Sequence, residues 1–268
     1  MRVRVTHQTL TTRVCTFFIN GKYIALTPYV EHVADGVFEK ARHNQILNAL
    51  PDGALHRILA GTTLKDLPRG RRLYREDGPV EALYFPVDGV VSILTHASGA
   101  GEALMATVGK EGVVGISAAM SVPRALGRKI VQVPGQAIMI GAKRFAELLR
   151  GEQQFSLLMH RYMYAFVREI LQACTCNRLH TTEERCARWL LMAQDRAGTN
   201  QFALTQHFLA EMLGTRRANV NLALALFRRA GAIQYVYRRI TVVDRALLES
   251  FSCPCYVLIR QAHELVTT

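Results

Sequence analysis

The sequence predicts an α+β chain in three parts: an N-terminal double-stranded β-helix (a jelly roll), a long helix, and a C-terminal winged helix–turn–helix. Three observations carry this. Residues 70–140 alternate short β-rich runs with Gly, Pro and Asp-Gly breaks, which strands cannot cross cheaply. Residues 152–177 hold no Gly or Pro and space their apolar side chains by three and four. Residues 204–235, LTQHFLAEMLGTRRANVNLALALFRRAGAIQY, read as two short helices split by one glycine, then a second glycine and a strand.

Taken in order, residues 1–40 match no clear period, although 16–19 and 23–26 look strand-like, and they are assigned to an N-terminal extension. From Asn44 the pattern sharpens. In NQILNALPDGALHRILAGTTLKDLP the residues Ile46, Leu47, Leu50, Leu55, Ile58 and Leu59 recur at helical spacing, with a break at Pro51-Asp52-Gly53. This predicts two short helices. The strands that follow, close together and separated by turn residues, fit a barrel or jelly roll within a sensor unit of residues 41–150.

A helical stretch over 143–177, interrupted near Gly151, places Phe155, Met159, Tyr162, Phe166, Ile170 and Ala173 on one stripe. Leu157, Leu158, Met163, Tyr164, Val167 and Leu171 add apolar surface beside it. A helix apolar around much of its circumference must be covered on more than one side. One side is expected to pack on its own domain and the other on the same helix of a second copy. The stripe from Phe155 to Ala173 is assigned as the dimer interface, on a dimerisation helix of residues 151–178. A further helix over 181–196 opens with a capping box, Thr181 and Glu184, and buries Cys186, Trp189, Leu190 and Ala193.

Within the C-terminal unit, residues 179–268, Thr205 is expected to cap a helix whose Phe208, Leu209, Met212 and Leu213 face inward. Gly214 supplies the turn and Thr215 the next cap. Val220, Ala223, Leu224 and Phe227 then share one face of the second helix, leaving Arg217, Ala218, Asn221 and Leu222 on another. A major groove admits such a helix. There Arg can pair with guanine and Asn with adenine, while Ala and Leu touch thymine methyls. Between residues 204 and 240 stand six arginines (216, 217, 228, 229, 238, 239) and one acid, Glu211, an excess of +5 suited to phosphate. AIQYVYRRITVV then folds back as a two-stranded wing with arginines at its tip. The expected DNA-binding set is Thr205, Thr215, Arg216, Arg217, Ala218, Asn219, Asn221, Leu222, Arg238 and Arg239.

The totals agree. The chain has 268 residues, half of them hydrophobic, enough for one large or two ordinary domains, and a net charge of +12 that favours anionic partners. No apolar run reaches membrane-spanning length, and MRVRVTHQTLTTRVCTFF does not read as a signal peptide. Six cysteines are too few for a disulfide scaffold and are expected to be cytosolic thiols, which places the protein in the cytoplasm.

The order of a β-roll, a long helix and a winged helix–turn–helix, together with LYFPVDGVVSIL, VGKEGVVG, ERCARWLLMAQDRAG and LTQHFLAEMLGTRRANV, resembles the Crp–Fnr superfamily of bacterial transcription regulators over residues 44–260. The resemblance implies a cyclic-nucleotide-binding-like sensor domain and a homodimer on a two-fold-symmetric DNA site, under control of a small-molecule effector of unknown identity. It also makes RNA polymerase an expected partner. By position, the family's base-reading residues fall on Arg217, Ala218 and Leu222. Only Arg217 keeps the character found in the cyclic-AMP receptor protein, so a different operator is expected, with Asn219 or Asn221 as additional readers.

Cyclic-nucleotide-binding members carry Gly-Glu and, some ten residues on, Arg-Ser or Arg-Thr, because the cyclic phosphate needs a cation and N–H donors. The matching positions here are Val114-Gly115 and Ala125-Leu126, so the cassette is missing and no cofactor is expected. Glu111, Gly112, Gly115, Arg124 and Arg128 remain the candidate ligand-binding residues. Cys15 stands alone at the N-terminus, against an iron–sulfur cluster of the family's kind. Cys174-Thr-Cys176 and Cys253-Pro-Cys255 are read as structural thiols, the alternative being a redox- or metal-responsive regulator using Cys174 and Cys176. The competing class, a jelly-roll metal enzyme, lacks convergent histidines, since His96 is the only one in the β-rich region. No catalytic residue or metal ligand is therefore assigned.

Overall fold

A computed structural model describes residues 15–19, 22–26, 35–97, 101–237 and 239–268. The rest of the expected extension lies outside these residues. Within it, β1 (Cys15–Ile19) and β2 (Lys22–Leu26) pair antiparallel, in line with the strand-like pattern. Helix α1 (Asp35–Ala41) crosses the expected boundary at residue 40 and ends in the core, where Ala41 is fully buried.

The two short helices form as α2 (Gln45–Asn48) and α3 (Asp52–Leu59). Asn44 fixes their place. Its side-chain oxygen caps α2 by accepting from the Ile46 and Leu47 amides, and its amide donates to Pro86 O and Gly112 O at 2.9 Å each. A short polar side chain thus joins a helix end to two loops of the roll while leaving none of its own groups unpaired.

Seven strands follow: β3 (Thr63–Leu67), β4 (Arg72–Tyr74), β5 (Ala82–Pro86), β6 (Val90–Ala97), β7 (Gly101–Val108), β8 (Arg128–Val133) and β9 (Gly135–Gly141). They build two antiparallel sheets, ordered β3-β9-β5 and β4-β8-β6-β7. Of the two architectures the sequence allowed, this is the two-sheet roll and not a closed barrel. Gly89 turns the chain between sheets at φ +76, where a Cβ would meet Val133 O at 2.7 Å, so only glycine fits without a shift.

Helix α4 (Ala142–Gly151) and the long α5 (Gln153–Leu179) replace the single interrupted helix, with the break at Glu152. The stripe assigned to dimerisation is corrected here. Phe155, Met159, Tyr162 and Phe166 are between 0 and 8 % exposed inside their own chain, and Ile170 and Ala173 are half-buried. Phe155 packs against Phe85 and Phe145, with ring centroids 6.1 and 5.6 Å away. The physical reason is volume: the roll needs large aromatic side chains to fill the space between its sheets and α5, and this stripe supplies them. The outward side of α5 instead carries Leu157, Tyr164, Val167 and Leu171, 48 to 60 % exposed.

Beyond α5, the capping box forms as expected at the start of α6 (Thr182–Ala197), and Cys186, Trp189, Leu190 and Ala193 are buried. The C-terminal core comprises α6, β10 (Gln201–Ala203), α7 (Gln206–Leu213), α8 (Arg217–Ala230), β11 (Ile233–Val236), β12 (Arg239–Val242), α9 (Arg245–Ser250) and α10 (Cys255–Glu264). The three strands form one sheet ordered β10-β12-β11.

Candidate nucleic-acid interface

Thr205 caps α7, its side chain accepting from the Phe208 amide at 3.2 Å. Gly214 closes that helix at φ +58, a left-handed conformation open to glycine, and sends the chain into α8. Leu209, Met212 and Leu213 of α7 and Val220, Ala223, Leu224 and Phe227 of α8 are all at most 8 % exposed. This apolar contact fixes one helix on the other and decides which side of α8 remains free.

The free side carries Arg216, Arg217, Ala218, Asn219, Asn221 and Leu222, every one exposed. Leu222 is 66 % exposed, an apolar side chain left in water at the centre of a polar face. Arg217 donates from Nε and Nη2 to Gln206 Oε1 at 3.3 Å, so the start of α7 holds the arginine in place. Thr215 does not cap α8. The N-cap is Arg216, which makes no side-chain cap bond, and the Thr215 hydroxyl instead accepts from Asn219 Nδ2 at 3.0 Å. The helix starts one residue later than expected, and with no side chain capping it, its first turn can offer N–H groups to an anion.

The wing forms from β11 and β12, with Val236 opposite Arg239 and Tyr237 at the tip, 98 % exposed. Arg239 is exposed and donates to Gln201 Oε1 at 3.3 Å. Arg238, assigned to DNA with it, lies outside the described residues. Strand β10 has no counterpart in the sequence reading, because three residues after a turn carry too little pattern. It pairs with β12 and places Gln201 beside Arg239.

The five candidate ligand residues fall in three places. Glu111, Gly112 and Gly115 lie on the turn after β7, facing the interior. A Cβ on Gly112 would stand 2.3 Å from Tyr162 Oη, so this glycine serves the approach of α5. The Glu111 carboxylate accepts from Gly109 N at 3.0 Å and pairs with Arg196 Nε at 2.9 Å. Gly112 and Gly115 support the core, and Glu111 lines an open cavity beside Arg196. Arg124 is exposed on a loop bridged to Pro79, and Arg128 opens β8 opposite Leu94.

Arg196 is the centre of a network that the sequence did not reveal. Its guanidinium pairs with Glu111 on the roll and with Glu169 on α5, and bonds Thr107 on β7. His263 on α10 bonds the same Glu169 oxygen at 2.9 Å. Burial pushes the Glu169 carboxyl up, but the Arg196 charge and the His263 hydrogen bond outweigh it and hold the group at about 2. An open cavity of about 530 Å³ adjoins this network, lined in part by Lys110, Asp195, Arg245 and Tyr256.

The four cysteines of the two Cys-x-Cys pairs divide in two. Cys174 is exposed. Cys176 is buried and meets Cys253, Cys255 and His180, whose ligating atoms all lie within 4.8 Å of one another. Of the two cysteines in the redox- or metal-responsive alternative, Cys176 stands in this cluster and Cys174 does not, since residues two apart on a helix point in different directions.

Residues 184–251 match the Crp-like helix-turn-helix domain family. The chain as a whole is similar in fold to FixK2 from Bradyrhizobium japonicum, at 19% identity and a TM-score of 0.62, over 72% of this chain and 98% of that one. It is similar to CLP, a c-di-GMP-responsive global regulator from Xanthomonas campestris, at 15% identity and a TM-score of 0.58, over 72% and 99% of the two chains. A CRP-family transcriptional regulator from Thermus thermophilus shows 20% identity and a TM-score of 0.57, over 70% and 96%. No curated protein matches the sequence.

Proposed function

From a chain with a Crp-like helix-turn-helix and the fold of Crp–Fnr transcription regulators, we propose a sequence-specific DNA-binding regulator that works as a homodimer on a palindromic site. One observation carries the reading: α8 buries Val220, Ala223, Leu224 and Phe227 while exposing Arg217, Asn219, Asn221 and Leu222. That combination of donors and an apolar contact suits base edges in a major groove. Exposed Arg216 and Arg239 flank it with positive charge for the phosphates. Neighbours in fold that are described as regulators support this reading over the jelly-roll enzyme.

The exposed side of α5 supports the homodimer. Leu157, Tyr164 and Leu171 are seven residues apart and Val167 lies between two of them, the spacing of a coiled-coil seam. Pairing two copies there would set two α8 helices on one duplex about a helical turn apart. A signal would act by shifting the population between spacings that fit DNA and spacings that do not. The Arg196 network ties the roll, α5, α6 and α10 together, and so lies on the route between sensor and reader. A small-molecule effector and RNA polymerase would be the further partners, in the cytoplasm.

Titration of the full chain with mixed duplex DNA at rising salt tests the reading, with light scattering on the same samples. The expected result is a dimer whose affinity falls linearly with salt on logarithmic axes. A monomer with salt-independent or absent binding would overturn it.

A further inference from the structure

The cluster at the end of α5 stands apart from the DNA-facing residues. Cys176 lies in the last turn of α5 and His180 is the C-cap four residues on, its amide donating to Cys176 O at 3.1 Å, so the two stand together at the helix terminus. Cys253 and Cys255 approach from the segment that leads into α10. The three thiols are 0, 2 and 1 % exposed and form a core cluster of their own, apart from the aliphatic core. Cys176 Sγ and Cys253 Sγ are 3.5 Å apart, and Cys255 Sγ and His180 Nδ1 are 3.4 Å apart.

Both distances are close to edges of a metal tetrahedron, and the remaining ligand pairs lie within 4.8 Å. With zinc–sulfur bonds of about 2.3 Å and a zinc–nitrogen bond near 2.0 Å, tetrahedral ligands stand roughly 3.5 to 3.8 Å from one another. A disulfide would need Cys176 Sγ and Cys253 Sγ at about 2.0 Å, and would leave Cys255 and His180 without a role.

The surroundings fit the same chemistry. Three thiolates and a neutral imidazole around a divalent ion leave one net negative charge in a buried place. The charge of Arg188 acts on Cys176 and that of Arg185 on Cys176 and Cys253, while their terminal nitrogens donate to Met192 Sδ and Leu213 O. Each has a buried Nε with no hydrogen-bond partner among the described residues. Gln172 donates its amide to Cys255 Sγ at 3.0 Å, as outer residues do when they orient a metal ligand.

We propose that Cys176, His180, Cys253 and Cys255 form a closed tetrahedral zinc site that fastens α10 to the end of α5. Four protein ligands leave no open position, so the role is structural, not catalytic. The junction it fastens is where the long helix hands over to α6 and the DNA-reading unit. Binding deprotonates the thiols and releases their protons to solvent, with no redox step.

The test is metal content and coordination in the full chain, purified with reductant and without chelator. The expected result is stoichiometric zinc, retained through gel filtration, in the wild type and in Cys174→Ser. It is lost in Cys253→Ser and in His180→Ala, and kept in His180→Cys, which offers a fourth thiolate. Cobalt(II) titrated into the metal-free wild-type chain should give the strong visible bands of tetrahedral thiolate coordination. That measurement needs no variant and so does not depend on a variant folding. A reduced wild-type chain that takes up neither zinc nor cobalt would overturn the proposal. So would metal uptake indifferent to both losses, or a Cys176–Cys253 disulfide in protein whose thiols were trapped on cell lysis.

Discussion

Arg196 Nη2 on α6 stands 2.6 Å from Glu169 Oε2 on α5, with the two side chains only 4 and 3 % exposed. Two ions so placed have lost almost all their water and depend on each other and on Glu111, Thr107 and His263 for compensation. Replacing one partner strands the others. Arg196→Met is expected to cost about 3–5 kcal/mol of stability, because two buried carboxylates lose their cation. Thermal or urea unfolding measures it, and an unchanged midpoint would contradict the clamp.

The same pair sets an acid limit. The Glu169 carboxyl is held at about 2 in the fold against an ordinary value of 4.5. A depressed carboxylate stabilises the fold fully above its unfolded value, and that stabilisation is lost as pH falls through the folded one. Wild type should therefore lose stability more steeply than Glu169→Gln between pH 4.5 and about 2. Parallel acid-unfolding curves for the two proteins would show that the carboxylate is not held as described.

The two faces of α5 predict opposite phenotypes. Leu171, 60 % exposed, should tolerate Leu171→Glu with its helix content intact while the dimer dissociates in sedimentation. Phe155, fully buried, should cost about 3–5 kcal/mol on Phe155→Ala through the cavity left behind. A monomer from the second variant and not the first would restore the inward stripe as the interface.

Arg239 is expected to act on phosphate. Arg239→Ala should weaken binding to all duplexes alike and reduce the slope of log affinity against log salt by about 1. Fluorescence anisotropy over a salt series reads both quantities, and a loss confined to one sequence would reassign Arg239 to base reading.

Much of this was legible in the sequence wherever one period governed one element. Val220, Ala223, Leu224 and Phe227 declare the inner face of α8, and the Thr181–Glu184 box marks the start of α6. What escaped was set by tertiary choice. α5 carries two apolar stripes, and periodicity cannot say which is claimed by the roll. That decision rests on the bulk of Phe155 and Tyr162 against the sheets and Gly112. Arg196 and Glu169 pair across 27 positions and Cys176 and Cys253 across 77, separations at which local pattern is silent. The spacing of Cys176 and His180 was visible as two ligand types one turn apart, but only the fold brings Cys253 and Cys255 to meet them.

Whether the exposed end of α8 reads bases is tested most directly by site selection from random duplex DNA by the full chain, run for wild type and Arg217→Ala side by side. The expected product is an inverted repeat with half-sites about one helical turn apart. Arg217→Ala is expected to lose preference at one symmetric base pair, with specific binding weaker by about 1–3 kcal/mol. Enrichment of no sequence by the wild type, or an identical motif from both proteins, would contradict base reading by this end of α8.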